Sequence, residues 1–213
     1  MAFNGDITVQ KEAEKIIKNF KIKVAIETGT HIGGTTKFLA EHVEKVETIE
    51  INTHMFNEAC KNLFEFKNVT IHLGNSISKL EELLPKISLE NELVLLYLDA
   101  HWYDPWPLLN ELEKIKKYMY DRAIIIIDDF EVPNRNYKYD VYKSQKNNYE
   151  YIREKLNEVY NKYEYYYSNN KENSTKSVGK IYIFPENIFA KYGKKKENFF
   201  RTENGVNYSL ITE

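Results

Sequence analysis

The 213-residue sequence predicts an α/β fold, in which helices cover both faces of a mostly parallel sheet. Two observations indicate this class. Short apolar runs recur along the chain, as is typical of parallel strands that are buried on both faces. Amphipathic segments lie between these runs and carry apolar residues three and four positions apart, as expected for helices that pack on a sheet.

The first half of the chain predicts a helix followed by five strand–helix units. The N-terminal helix is expected within residues 1–21, and the strands at 24–28, 46–51, 69–73, 93–99 and 123–128. The helices between these strands are predicted at TTKFLAEHVEK, HMFNEACKNLFEF, ISKLEELLPK and PLLNELEKIKKYM. Open α/β sheets bind ligands at the carboxyl ends of their strands, so the loops after these strands are where a site is expected.

The pattern changes after Asp129. A polar, tyrosine-rich loop occupies 130–148, and a helix is predicted near YEYIREKLNEVYNK. Two further strands, YEYYYSN and VGKIYIFP, are expected to pair as an antiparallel hairpin and to complete a seven-stranded sheet. We therefore expect one domain over residues 1–185 and a C-terminal surface tail over 186–213.

Composition restricts the partners. Lys and Arg number 30 against 32 Asp and Glu, and the formal net charge of -2 gives no general attraction to nucleic acid or membrane. The single Cys60 suits a reducing compartment, and no apolar run reaches the ~20 residues of a membrane span. A cytoplasmic protein is expected, and homo-oligomer formation is left open.

The segment ETGTHIGGTT, residues 27–36, lies between the first strand of the sheet and the next helix. In a dinucleotide site that begins at Gly29, His31 would stand where a second glycine lets the diphosphate approach. Glu27 adds a carboxylate, which repels phosphates and attracts a cation. Glu50, at the end of the second strand, is placed to accept hydrogen bonds from ribose hydroxyls. The turn therefore predicts a cationic ligand that carries a ribose.

These residues resemble the class I S-adenosylmethionine-dependent methyltransferases, whose first motif reads approximately E/D-x-G-x-x-x-G. The resemblance covers about residues 22–184 and implies a Rossmann-like methyltransferase fold. LGNS, residues 73–76, is similar to the family's G-D-A/S segment beside the adenine, although Asn75 replaces the usual Asp and His31 replaces a common glycine. The cofactor-binding residues that the resemblance implies are Glu27, Gly29, Thr30, His31, Gly33, Thr35, Glu50, Ile51, Asn75, Ser76 and Asp99.

Three carboxylates follow the fourth and fifth strands, in LYLDAHWYDPW and IIIIDDF. Asp99, Asp128 and Asp129 are costly to ionise beside long apolar runs unless a cation compensates them. Oxygen ligands of this kind suit Mg²⁺. We therefore predict that the three aspartates bind Mg²⁺ or another divalent cation.

The same two segments resemble the metal-dependent O-methyltransferases. The macrocin type, which acts on sugar hydroxyls, has L-D-G-D-x-Y and a later I-D-D-Y, and the more distant catechol type has L-D-H-W. The resemblance implies catalytic roles for Asp99 and for His101, which stands in place of the family's second acid and would take the proton. We expect the acceptor to be a hydroxyl of a small molecule or sugar, in a pocket walled by Trp102, Trp106 and the 130–148 loop.

Two other functions remain open from the sequence. A nicotinamide-dependent oxidoreductase would require a diphosphate to fit beside His31, and it would give the three aspartates no role. A methyltransferase-like module without catalysis would bind the cofactor and a partner only. No N-P-P-Y-type segment follows the fourth strand, which favours oxygen over an exocyclic nitrogen as the methyl acceptor.

Overall fold

The computed structural model describes residues 2–90, 92–100, 105–169 and 178–210. The helices are α1 (Ile7–Phe20), α2 (Gly34–Ala40), α3 (Thr53–Asn62), α4 (Ser76–Glu90), α5 (Leu108–Met119), α6 (Tyr149–Val159) and α7 (Ile188–Lys191), with 3-10 turns at Ala2–Gly5 and Lys196–Asn198. The strands are β1 (Val24–Thr28), β2 (Lys45–Glu50), β3 (Val69–Leu73), β4 (Val94–Leu98), β5 (Ala123–Ile127), β6 (Val141–Tyr142), β7 (Gln145–Lys146), β8 (Tyr163–Tyr167), β9 (Ile181–Pro185), β10 (Phe200–Glu203) and β11 (Val206–Ser209).

The main sheet has the strand order β10-β11-β8-β9-β5-β4-β1-β2-β3. Strands β1 to β5 pair in parallel, and β9 runs antiparallel to both β5 and β8. The predicted α/β class and terminal antiparallel hairpin are thus confirmed. The predicted count of seven strands is wrong, because β10 and β11 extend the sheet beyond β8 to nine strands.

The core lies on both faces of the sheet. Strands β1, β4, β5 and β9 are buried along their whole length, which accounts for their continuous apolar runs. Apolar residues of α4, α5 and α6 pack on one face, and those of α1, α2 and α7 pack on the other. Among the residues that the structure describes, no helix combines the length and the apolar character needed to cross a membrane.

The predicted surface tail at 186–213 is wrong for the residues described up to 210. Phe189, Phe199 and Tyr208 are buried, and the Phe189 ring lies 5.4 Å from Phe20 and 5.3 Å from Phe199, centroid to centroid. The aromatic residues of this segment are separated by lysines, asparagines and glutamates. The segment as a whole is therefore polar and predicts a surface location, although a few of its aromatic side chains are buried. The segment is part of the core and of the sheet.

Candidate functional site

The glycine turn after β1 is held between the ends of two neighbouring strands. Gly29 N donates a hydrogen bond to Ile49 O at 2.9 Å, and Asp99 N donates to Thr28 O at 3.0 Å. Gly29 has a φ of +88°, and a Cβ added there would lie 2.5 Å from Asp99 O. Only glycine meets both requirements without strain. The turn is therefore fixed against the first residue after β4.

His31 lies at the exposed tip of this turn with a φ of 50°. Its backbone N–H donates to Glu50 Oε2 at 2.7 Å. A left-handed conformation is one that glycine adopts readily, which accounts for the glycine common at this position of the motif. Two other predicted cofactor residues contact the protein itself, since Thr30 Oγ1 lies 2.6 Å from Thr48 Oγ1 and Thr35 Oγ1 accepts from Phe3 N at 3.1 Å.

Glu27 is buried beneath the turn. Its Oε2 accepts hydrogen bonds from Thr36 Oγ1 at 2.5 Å and from Thr48 Oγ1 at 2.7 Å. Burial raises the pKa of Glu27 to about 7, although the two hydroxyls act to lower it and the nearby Glu50 acts to raise it. The sequence analysis missed Thr36 and Thr48. The parallel register that pairs Glu27 with Thr48 is the signal that would have located Thr48.

Glu50 closes the same site from the end of β2. Its Oε1 accepts from Asn52 N at 2.7 Å, in addition to the bond that His31 N donates to Oε2. A carboxylate has about four acceptor positions, so each oxygen can still accept a bond from a ribose hydroxyl. Both backbone contacts hold the carboxylate at the sheet edge, where the sequence placed it.

Exposed apolar side chains lie beside Glu50. Ile51 and Leu73, after β2 and at the end of β3, are each 42% exposed, and Ile32 in the glycine turn is 41% exposed. Gly74 N donates to Glu50 O at 2.8 Å and so brings the two strand ends together. These side chains offer an apolar surface of the kind that a flat heterocycle covers. Ile51 was predicted in this role, and Leu73 and Ile32 were not.

Asn75 acts as a cap for α4. Its Oδ1 accepts from Ile77 N at 2.9 Å and from Ser78 N at 3.4 Å, and Ser76 beside it is buried. An asparagine carbonyl beside the adenine could in principle accept a hydrogen bond from the adenine amino group. Both lone pairs of the oxygen are instead used by backbone donors of the helix, which leaves the amide N–H groups as the polar atoms that Asn75 can offer a ligand.

Asp128 lies in a buried ion pair with Lys180, which the sequence analysis did not single out. Lys180 Nζ is 2.5 Å from Asp128 Oδ1, and the two side chains are 0% and 1% exposed. Tyr97 donates its hydroxyl to Asp128 Oδ2, and Asp129 N donates to Oδ1 at 2.8 Å. Burial acts to lower the pKa of Lys180, but Asp128, Asp99 and Asp129 outweigh burial and raise it. Lys180 is thus a charged partner for the cluster.

Asp99 and Asp129 lie close to this pair. Burial raises the pKa of Asp99 well above its usual range, and Asp128 and Asp129 raise it further, while Lys180 opposes them. The structure therefore brings the three predicted carboxylates together. Within the described ranges, no group of three His, Cys, Asp or Glu side chains is arranged to hold a metal ion.

Lys180 places a positive charge beside these carboxylates, and both Asp128 oxygens have protein partners. Lys180 is thus a cation on the chain itself, and the sequence analysis did not consider it. A lysine inside the apolar run VGKIYIFP is the sequence signal for it, since lysine is rarely buried without a partner. The predicted base His101 lies outside the described residues, as does Trp102.

An open pocket of about 800 Å³ lies beside the 130–148 loop, at the end of β8 and the start of α6. Asp140 N donates to Asp129 O at 2.9 Å and ties this loop to the carboxylate cluster. Trp106, expected in the wall, is buried and stacks on Tyr151 at 5.0 Å instead. The aromatic residues that line the pocket are Tyr137, Tyr139, Tyr149 and Tyr167. The tyrosine-rich loop does form one wall of a pocket, as the sequence suggested.

The raised pKa of Glu27 predicts a fall in stability with rising pH. The folded protein keeps a proton on Glu27 up to about pH 7, whereas an unfolded glutamate loses it near 4.5. The contribution of Glu27 to the free energy of unfolding is therefore complete below about pH 4.5. It falls by about 3 kcal/mol as pH rises through 7, at 1.36 kcal/mol per pKa unit. We expect Glu27→Gln to remove this loss in urea unfolding at pH 5.5 and 8.5.

Glu12 provides a matched control. It lies on α1, 3.4 Å from the Tyr166 hydroxyl, and burial raises its pKa to about 7 as well. Glu12→Gln and Glu27→Gln should both reduce the pH dependence of the unfolding free energy. Only Glu27→Gln should change the affinity for a ligand of the glycine turn. An unchanged pH dependence in both variants would show that neither carboxyl holds its proton in the folded state.

Comparison with solved structures identifies the fold. A structure of the O-methyltransferase from Bacillus cereus in complex with S-adenosylhomocysteine (SAH) is 19% identical, with a TM-score of 0.60 over 84% of this chain and 81% of that chain. A protein from Klebsiella pneumoniae, provisionally named an O-methyltransferase, is 17% identical, with a TM-score of 0.60 over 83% and 79%. This chain has the class I methyltransferase fold.

Other structures with the methyltransferase fold differ in what they modify. An rRNA methylase from Streptococcus thermophilus is 11% identical, with a TM-score of 0.55 over 83% of this chain and 93% of that chain. The sequence matches no protein-family model and no curated protein. The methyltransferase fold therefore indicates where a methyl donor would bind, and the acceptor has to be inferred from the residues of this chain.

Proposed function

We propose that this chain is an S-adenosylmethionine-dependent O-methyltransferase that acts on a hydroxyl of a small molecule or sugar. The observation that carries the proposal is the group of three acids beside the glycine turn, of which Glu27 and Glu50 are buried. Glu27, Glu50 and Asp99 lie close enough that Glu50 affects the pKa of Glu27, and Glu27 that of Asp99. A cation bound beside these acids favours their ionised forms, so the site suits a positive sulfonium and disfavours a diphosphate.

The same residues fit the rest of the methyl donor. Glu50 retains acceptor capacity for two ribose hydroxyls, and Ile51, Leu73 and Ile32 provide an apolar surface for the adenine. The SAH bound to the Bacillus cereus protein supports this assignment by fold. The dinucleotide alternative lacks such support, because Gly29 is packed against the Asp99 backbone and the acids lie where phosphates would bind.

The acceptor is proposed to bind in the tyrosine-lined pocket beside Asp129. Tyrosine rings and amide side chains such as Asn134 and Asn148 suit a hydroxylated ring, since they combine apolar faces with hydrogen-bonding groups. S-adenosylmethionine, when bound, supplies an electrophilic methyl group on a positively charged sulfur.

His101 is proposed to take the proton of the acceptor hydroxyl, a role to which an imidazole is suited. Asp99, two residues earlier and fixed against the glycine turn, would lie between donor and acceptor. These roles are assigned to side chains of the chain itself, and no step is assigned to a metal ion.

Calorimetry with S-adenosylmethionine, SAH and NAD tests the proposal. We expect the first two to bind and NAD not to bind. Glu50→Ala should weaken S-adenosylmethionine binding by about 100-fold or more, because it removes two hydrogen bonds to a charged group, each of about 1.5–3 kcal/mol. Glu44→Ala, which changes an exposed acid paired with Lys23, should leave the affinity unchanged. Binding of NAD without binding of S-adenosylmethionine would refute the proposal.

Release of SAH in the presence of candidate acceptors separates the enzyme from a silent binding module. Incubation with pools of sugars and phenols should yield SAH above the rate without acceptor. Binding without any SAH release across such pools would favour the module.

A further inference from the structure

Lys180 occupies a fixed position opposite the end of β5. The antiparallel register of β5 and β9 pairs Ile127 with Ile181. Asp128, directly after β5, therefore lies opposite Lys180, directly before β9. Phe130 N donates to Gly179 O at 2.8 Å, and a Cβ at Gly179 would lie 2.1 Å from Phe130 O. The close approach of the two backbones holds Lys180 against the loop that carries Asp128 and Asp129.

Three carboxyl groups surround the single ammonium group of Lys180. Its ammonium faces Asp128 directly and Asp99 and Asp129 nearby, and the Tyr97 hydroxyl, whose pKa burial and Asp128 hold far above its usual range, donates to the other oxygen of Asp128. Three neighbouring carboxylates, of which Asp128 is buried, are costly to ionise together without a positive charge among them. A permanently placed ammonium on the chain provides one.

We propose that Lys180 is the resident cation of this carboxylate cluster and takes the place of a divalent metal ion, so that methyl transfer by this chain is independent of metal. Lys180 acts as a positioning residue: it orients Asp128, whose oxygen also receives the Asp129 N–H. Activation of the acceptor hydroxyl then depends on a general base and on hydrogen bonds rather than on a Lewis acid. Only the statement about methyl transfer rests on the proposed function.

The wild-type protein gives the first test. Titration with Mn²⁺ by calorimetry should show no saturable binding, and neither EDTA nor Mg²⁺ should shift the melting temperature. Once an acceptor is found, SAH release should be the same in EDTA and in Mg²⁺. Saturable Mn²⁺ binding that Asp129→Ala abolishes, or loss of SAH release in EDTA, would overturn the inference.

Lys180 variants give a test without turnover. Lys180→Ala leaves Asp128 buried without its cation, so we expect a melting temperature lower by about 10 °C. Mn²⁺ should bind this variant and restore part of the loss, which a merely structural ion pair would not predict. Lys18→Met, at an exposed lysine paired with Glu14, should show neither effect.

If Lys180→Ala does not fold, the double variant Lys180→Met/Asp128→Asn removes both charges and should melt above Lys180→Met alone. Equal melting of the two would contradict the role of Lys180 as the partner of Asp128. These outcomes are distinct from those of the proposed function, because failure to bind S-adenosylmethionine leaves the Mn²⁺ results intact.

Discussion

Replacement of Gly29 by alanine is expected to weaken S-adenosylmethionine binding by at least about 100-fold, the loss that a shift of about 1 Å at a site can cause. The added Cβ would lie 2.5 Å from Asp99 O, where no Cβ fits, and the φ of +88° disfavours alanine as well. The turn must therefore move away from β4, which displaces Glu27 and the His31 N–H that holds Glu50. Calorimetry with S-adenosylmethionine measures the effect.

Gly205 supplies the control for the backbone conformation alone. It has a φ of +79° in the turn between β10 and β11, and a Cβ there would meet nothing within 4 Å. Gly205→Ala should cost about 1–2 kcal/mol of stability for the left-handed conformation, and the affinity for S-adenosylmethionine should stay at the wild-type value. Equal affinity losses in both variants would mean that contact with Asp99 does not position the turn.

Phe189→Ala is expected to lower the free energy of unfolding by about 3–5 kcal/mol, as typical for an aromatic residue removed from a core. The Phe189 side chain is 2% exposed, and its ring packs against Phe20, Phe184 and Phe199. Urea unfolding monitored by circular dichroism measures the change. The effect is large because the C-terminal segment and α1 share this cluster.

Phe64→Ala is the matched control, since Phe64 is 69% exposed. Its effect should remain within about 0.5 kcal/mol, as for most surface substitutions. If Phe189→Ala were as mild as Phe64→Ala, the segment from 186 to 210 would behave as a surface tail after all.

The elements that the sequence predicted well are those whose signal is local. The strands at 24–28 and 69–73 have the expected bounds, because each run rich in apolar residues is preceded by a polar residue and followed by a glycine. Glu27 and Glu50 were placed correctly at the sheet edge for the same reason, since each stands at or near the end of such a run. The glycine turn followed from the spacing of its glycines.

The features that were missed depend on pairing between distant segments. Lys180 meets Asp128 only because β9 returns antiparallel beside β5, with a register that neither segment reveals alone. Thr48 lies beneath Glu27 through the register of β1 and β2. In both cases the sequence of one segment indicates that an acid is buried. Which side chain contacts that acid depends on how the strands pair in the folded sheet.

The position of the C-terminal hairpin also affects how the molecule avoids aggregation. Strand β8 reads YEYYY, and without β11 it would lie at the margin of the sheet with unpaired backbone groups, a template for association between copies. Tyr208 pairs with Tyr167, and Asn207 Nδ2 donates to Tyr165 O at 3.2 Å. The outermost strand is then β10, whose Arg201 and Glu203 give it charges that discourage further addition of strands. Shortened versions of the chain that end before β10 would therefore expose the edge of β8. They are poor choices for expression or crystallisation.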